Sequence, residues 1–172
     1  LDPSFCSNLK GMVVMGGSLR AGGNITPAAE ANFYHDPHAA DFVLRHGCNI
    51  TLVGLDVTNR VICPRSFFAR LASESPKMGG LLHDMAEFYI DFYETVGKFA
   101  GCGMHDPSAL VACIAPELFT TEPHALRVTL SGDRSGEMIT VANSTAQAVN
   151  VCTDVQAEAV KQNFFKNVAK LS

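Results

Sequence analysis

No stretch of this chain approaches the roughly eighteen consecutive apolar residues that a membrane-crossing helix needs, so no such helix is expected. Leu1 to Lys10 lacks the charged start and long apolar centre of a secretory signal, and a cytoplasmic protein is expected. Lys and Arg never cluster, and the net charge is only −4, which gives a nucleic-acid backbone nothing to bind. No Cys-x-x-Cys pair occurs either. Cys6, Cys48, Cys63, Cys102, Cys113 and Cys152 are scattered without zinc-type spacing to histidines. Reduced, small apolar thiols are therefore expected, not a disulfide framework.

What remains is a globular composition: 172 residues, 47% hydrophobic and 17% charged, sized for one domain with a sizeable core. Lys10 to Met15 is a short apolar run closed by Gly16-Gly17, which predicts a buried strand ending in a tight turn. Asp36 as N-cap and Pro37 at the first helical position predict a helix to His46. Asn49 to Val57 is rich in β-branched residues and predicts a second strand, at whose end Asp56 and Thr58 shape the adjoining turn. Strand, helix, strand in this order favours a parallel crossover, hence an α/β fold.

Beyond Pro64 a short helix is expected over Arg65 to Ser73 and a long one over Met78 to Val96. Most of Leu81, Leu82, Met85, Phe88, Tyr89, Phe92 and Tyr93 should be core residues of the long helix. The glycines of Gly97 to Gly103 suit a mobile flap. Asp106-Pro107 repeats the Asp36-Pro37 pattern, so Asp106 is expected to cap a helix from Pro107 to Ile114. Leu126 to Leu130 and Glu137 to Val141 read as a late β-hairpin, followed by a strand near Ala148 to Cys152. Thr153 or Asp154 should cap a last helix reaching about Lys170, its apolar face formed by Val155, Ala159, Phe164, Phe165 and Val168.

The segment Met15 to Asn32 crowds Asn24, Glu30 and Asn32 into one loop beyond the first strand, where open α/β sheets form pockets. Asn24 and Asn32 also suit ordinary turns, since Asn tolerates left-handed backbone and hydrogen-bonds locally, and Glu30 suits a solvated loop carboxylate. His35, His38, His46 and His124 lie beside helix ends or loops and are given no role.

Four blocks, in order, resemble the nucleoside hydrolase family (inosine-uridine preferring nucleoside N-ribohydrolases). They are Gly23 to Asn32 with Asp36 to Ala40, Val53 to Thr58, Gly103-Met104-His105-Asp106-Pro107, and Leu130-Ser131-Gly132 through Gly136-Glu137-Met138. The resemblance implies an open, mostly parallel Rossmann-like sheet flanked by helices. It also implies hydrolysis of the N-glycosidic bond of purine or pyrimidine ribonucleosides. Asn24, Glu30 and Asn32 would grip ribose hydroxyls with Met15 against the sugar, and His105 would protonate the leaving base. Asp106 would hold Ca2+, and His83, Tyr89 and Tyr93 are weaker candidates for contacting the base. A plainer role for His105 is packing at a helix start with a bond to Asp106.

Two departures stand out. The family's aspartate-rich turn, Asp-x-Asp-Pro-Gly-x-Asp-Asp, which supplies most calcium ligands, does not occur here. The chain is thus expected to be the C-terminal part of a single domain, its sheet incomplete on the N-terminal side and inactive alone. Association with itself or a partner through an exposed sheet edge is then expected. Ala31 stands where relatives commonly carry an aromatic residue, which weakens packing around the sugar or base. The competing expectation is a non-catalytic nucleoside- or ribose-binding or assembly module, because one carboxylate makes a poor calcium site.

Overall fold

A computed structural model describes residues 4–95, 100–142 and 147–171. Its strands are β1 (Met12–Met15), β2 (Ile50–Val53), β3 (Ile62–Cys63), β4 (Cys102–Gly103), β5 (Phe119–His124), β6 (Leu126–Val128), β7 (Met138–Thr140) and β8 (Val149–Val155). Its helices are α1 (Ala31–His35), α2 (Pro37–His46), α3 (Leu55–Thr58), α4 (Arg65–Glu74), α5 (Met78–Thr95), α6 (His105–Ile114) and α7 (Ala157–Ala169). The main sheet has the order β1-β2-β8-β5. Its first three strands are parallel, Met12 opposing Ile50 and Leu52 opposing Val151, while β5 runs antiparallel to β8. Antiparallel ladders β3–β4 and β6–β7 lie apart from it.

The alternation of side chains along β1 divides the core into two layers. Met12 and Val14 pack with Phe33, Leu44 and Leu126 on the α2 and hairpin side. Val13 and Met15 pack with Val57, Ile90, Met104 and Ala109 on the other. β2, between two parallel partners, buries Ile50, Leu52 and Val53 completely, as a strand covered on both faces must. On its other side β1 pairs with no strand among the described residues.

The second strand is shorter than its β-branched run. At Gly54 the chain turns, Leu55 N donates to Gly17 O at 3.0 Å, and α3 begins, so Asp56 and Thr58 lie on a helical turn and not at a strand end. Gly17 needs its φ of +67° for this close crossing, which other residues adopt only with strain. The last strand is longer than expected: β5, which has no clear sequence signal, pairs along it from His124–Val149 to Phe119–Val155. Thr153 and Asp154 thereby sit inside β8, and Gln156 is the N-cap of α7.

The expected core of α5 is overturned. Gly79, Ala86, Ile90 and Tyr93 are the buried residues, Leu82 is half-buried, and Leu81, Met85, Phe88, Tyr89 and Phe92 are exposed, Phe88 by 77%. The small face wins because α5 lies so close to α4 that any Cβ on Gly79 would collide with the Leu71 carbonyl. Of the expected flap, residues 96–99 lie outside the described residues, and Cys102 and Gly103 form β4 against β3. On α7 the buried side chains are Val160, Phe165 and Val168.

Candidate functional site

The loop beyond β1 is shaped by carboxylates that bond backbone amides. Asp56 accepts from Leu19 N at 2.6 Å, Arg20 N at 2.7 Å and Ala21 N at 3.0 Å, which fastens the loop to α3 and fulfils its turn-shaping role from a helical position. Glu30, only 2% exposed, accepts from Gly17 N and Asn32 N, each at 2.9 Å, and from Phe33 N at 3.2 Å. Asn24 Oδ1 accepts from Ala31 N at 2.9 Å. Together the two side chains satisfy the first amides of α1, which no helix can satisfy internally.

Asn32 turns back to β1. Its Nδ2 donates to Met15 O and lies against Met15 Sδ, both at 3.3 Å, so the amide straddles the carboxyl end of the strand. The structure thus brings Met15, Asn24, Glu30 and Asn32 together around one strand end, with Asn24 and Asn32 exposed and Glu30 buried beneath them. Asn24 Nδ2 and Asn32 Oδ1 form no bond to a described residue, which leaves a donor and an acceptor open on two exposed residues. A groove of about 210 Å3 beside β1 and α2 has Met15, Asn32 and Asp36 among its walls; Glu30 and Asp106 are not among them.

His105 opens α6, which packs against β1, and Met15 joins the apolar cluster that contains Met104. The imidazole is gripped on both nitrogens: Nδ1 lies 2.8 Å from Thr58 Oγ1 and Nε2 lies 3.1 Å from Tyr93 Oη. Among the described residues it bonds these two hydroxyls and not, as the plainer reading expected, Asp106. Burial pushes the Tyr93 hydroxyl up, with Tyr89 and Cys102 adding to it, so the phenol stays protonated at neutral pH. Thr58 is fully buried, and the sequence pattern alone did not mark it as a partner of His105.

Asp106 does not cap α6, since Met104 occupies that position without a side-chain bond. Asp106 stands exposed in the first turn and forms no hydrogen bond or ion pair with a described residue. Tyr89 lies 6.1 Å from Tyr93 ring to ring, whereas His83 lies 3.2 Å from Asp84 and 3.8 Å from Glu87. Among the described residues no group of three or more His, Cys, Asp or Glu side chains is arranged to hold a metal ion. Calcium takes about six to eight oxygen ligands, so the residues present do not fit a calcium centre by themselves.

A parallel α/β sheet with a polar cluster beyond the carboxyl end of one strand, and a paired histidine at a nearby helix start, defines a class of small-molecule site. Comparison with known proteins narrows it. Residues 1–162 match the family model described as inosine-uridine preferring nucleoside hydrolase. The chain is 38% identical over 138 residues to "Probable uridine nucleosidase 1" of Oryza sativa subsp. japonica, covering 80% of this chain and 43% of the relative. A purine-preferring ribonucleoside hydrolase from Gardnerella vaginalis superposes with a TM-score of 0.85 at 34% identity, over 91% of this chain and 51% of that one. A plant nucleoside hydrolase, the PpNRh1 enzyme, gives a TM-score of 0.91 at 28% identity, over 98% and 56%. The chain belongs to the inosine-uridine preferring nucleoside hydrolase family. It spans about half the length of the relatives it matches.

Proposed function

We propose that these residues form the sugar-holding and base-protonating part of an enzyme that hydrolyses the N-glycosidic bond of ribonucleosides, releasing ribose and the free base, within the C-terminal portion of a single domain. The observation that carries this reading is His105 clamped between Thr58 and Tyr93, one residue ahead of the carboxylate of Asp106, which no described residue bonds. Asn24 and Asn32 offer an open donor and acceptor suited to neighbouring hydroxyls, and Glu30 fixes the first turn of α1 from which Asn32 projects. An imidazole bonded to a phenol on Nε2 is positioned to pass a proton through Tyr93 to a departing base. Such groups accelerate reaction only where they hold the cationic sugar of the transition state more tightly than the ground state. Asp106 supplies one oxygen ligand; calcium belongs to this reading only with further oxygen ligands from polypeptide beyond the 172 residues.

The test is base release from inosine and from uridine with added calcium. The 172-residue chain is expected to be inactive, and a longer polypeptide carrying the same residues is expected to turn over and to lose most of its rate on His105→Ala. Rapid turnover by the 172-residue chain would overturn the division of labour.

The lone carboxylate at Asp106 favours a second reading, a non-catalytic nucleoside- or ribose-binding or assembly module. Saturable ribose binding by the chain, with no turnover in any longer form, would select it. The edge of β1, which no described strand covers, supports self-association or pairing with another polypeptide, which a dispersed monomer in size-exclusion chromatography would refute. Six free thiols support a reducing compartment such as the cytoplasm.

A further inference from the structure

The segment before β1 is fastened to the turn between α2 and β2 by bonds that converge on two thiols. Cys48 Sγ donates to Cys6 O at 3.1 Å, and Cys6 Sγ donates to His46 O at 3.5 Å, so each sulfur rests on the other's segment. Beside them Asn49 Nδ2 donates to Lys10 O at 2.9 Å and Met12 N donates to Asn49 O at 3.2 Å. Both thiols are half-buried and within reach of a small thiol reagent. The other cysteines differ. Burial holds Cys63 up at about 12 and Cys102 and Cys152 at about 11, where the thiolate is scarce, and Cys113 stands exposed on α6.

We propose that Cys6 and Cys48 are a dithiol–disulfide site that closes in an oxidising glutathione pool and reopens in a reducing one. The Cys6 thiolate attacks glutathione disulfide, forming a mixed disulfide and releasing one glutathione thiolate. The Cys48 thiolate then attacks the Cys6 sulfur and releases the second. Two protein thiols thereby lose two electrons and two protons, and glutathione disulfide is reduced to two glutathione thiols. Cys6 opens the exchange because burial, with Cys6 itself close by, pushes the Cys48 thiol up.

Closure replaces two weak S–H···O contacts by a covalent link across 42 residues of chain. It restrains the unfolded chain, and in the folded state it locks the start of β1 onto the turn that leads into β2. The strand so held is the one that ends at Met15. This inference stands independently of the hydrolase reading, since neither thiol touches the residues of that site.

The experiment takes the 172-residue chain carrying Cys113→Ser, which removes the exposed thiol, and equilibrates it in glutathione buffers of opposite poise. Peptide mapping without reduction is expected to find Cys6 linked to Cys48 in the oxidising buffer and both free in the reducing one. The midpoint of thermal unfolding should rise by about 5–10 °C on closure. Cys6→Ser and Cys48→Ser should each abolish the link and leave the midpoint equal in the two buffers. The proposal is overturned by stable glutathione adducts without a Cys6–Cys48 peptide in the oxidising buffer, or by a link that persists in the reducing one. A midpoint rise that survives in both serine variants would also overturn it.

Discussion

Glu30 and Asp106 are both carboxylates at the beginnings of helices, yet the fold treats them in opposite ways. Glu30 is buried and takes three backbone amides, so it is part of the framework of the loop. Asp106 is exposed and takes none among the described residues, so it is no part of that framework. A carboxylate's position at a helix start therefore says little about its work. The bonds already formed to it decide whether it builds the site or serves it.

The comparison breaks or sharpens by substitution. Glu30→Ala strands three amides in a dry environment and is expected to destabilise the chain by about 3–4 kcal/mol in urea unfolding, the largest effect of this set. A change below about 1 kcal/mol would show that water replaces the carboxylate and that Glu30 is not framework.

Asp41 is a second framework carboxylate, tying α2 to the hairpin through Arg127 Nε at 2.7 Å and Val128 N at 3.0 Å. Burial opposes its ionisation most strongly. The Arg127 and Val128 bonds, with the charges of Arg127 and Arg45, overcome that and hold the carboxyl below its ordinary 3.8. Its contribution is thus fully present above that ordinary value and is lost as the pH falls through the lowered one. Asp41→Asn should remove about 2 kcal/mol at neutral pH and flatten the fall of stability in acid, measured by urea unfolding across pH.

Thr58→Val should cost about 1 kcal/mol by leaving His105 Nδ1 without its partner, and should shift the His105 ring resonances in NMR. Unmoved resonances would show that the Thr58 contact does not orient the ring. Asp106→Asn should change stability by less than about 0.5 kcal/mol, the smallest effect, as expected of a side chain the fold does not use. A larger loss would mean that Asp106 is structural after all.

Much of the polar loop was legible in the chain. Asp36-Pro37 announced the start of α2, and Asn24, Glu30 and Asn32 do meet at one strand end. What was not legible is that Glu30 is buried and bonds backbone amides, because spacing shows which side chains are near a helix start and not where its amides point. Apolar periodicity misjudged α5 for a related reason. Leu81, Met85, Phe88 and Phe92 form a face at helical spacing, but the close approach of α4 at Gly79 selected the smaller face for burial.

The sequence by itself determined the alternation of strand and helix, the turn glycines after β1, the hairpin and the membership of a family, because these depend on local propensity and on short ordered motifs. Only the tertiary structure decided that Thr58 and Tyr93, 35 residues apart, close on His105. It alone brought Cys6 against Cys48 and left Asp106 without a partner among the described residues. Such pairings follow from how separate elements pack, and no local pattern in the chain encodes the distance between side chains that only packing brings together.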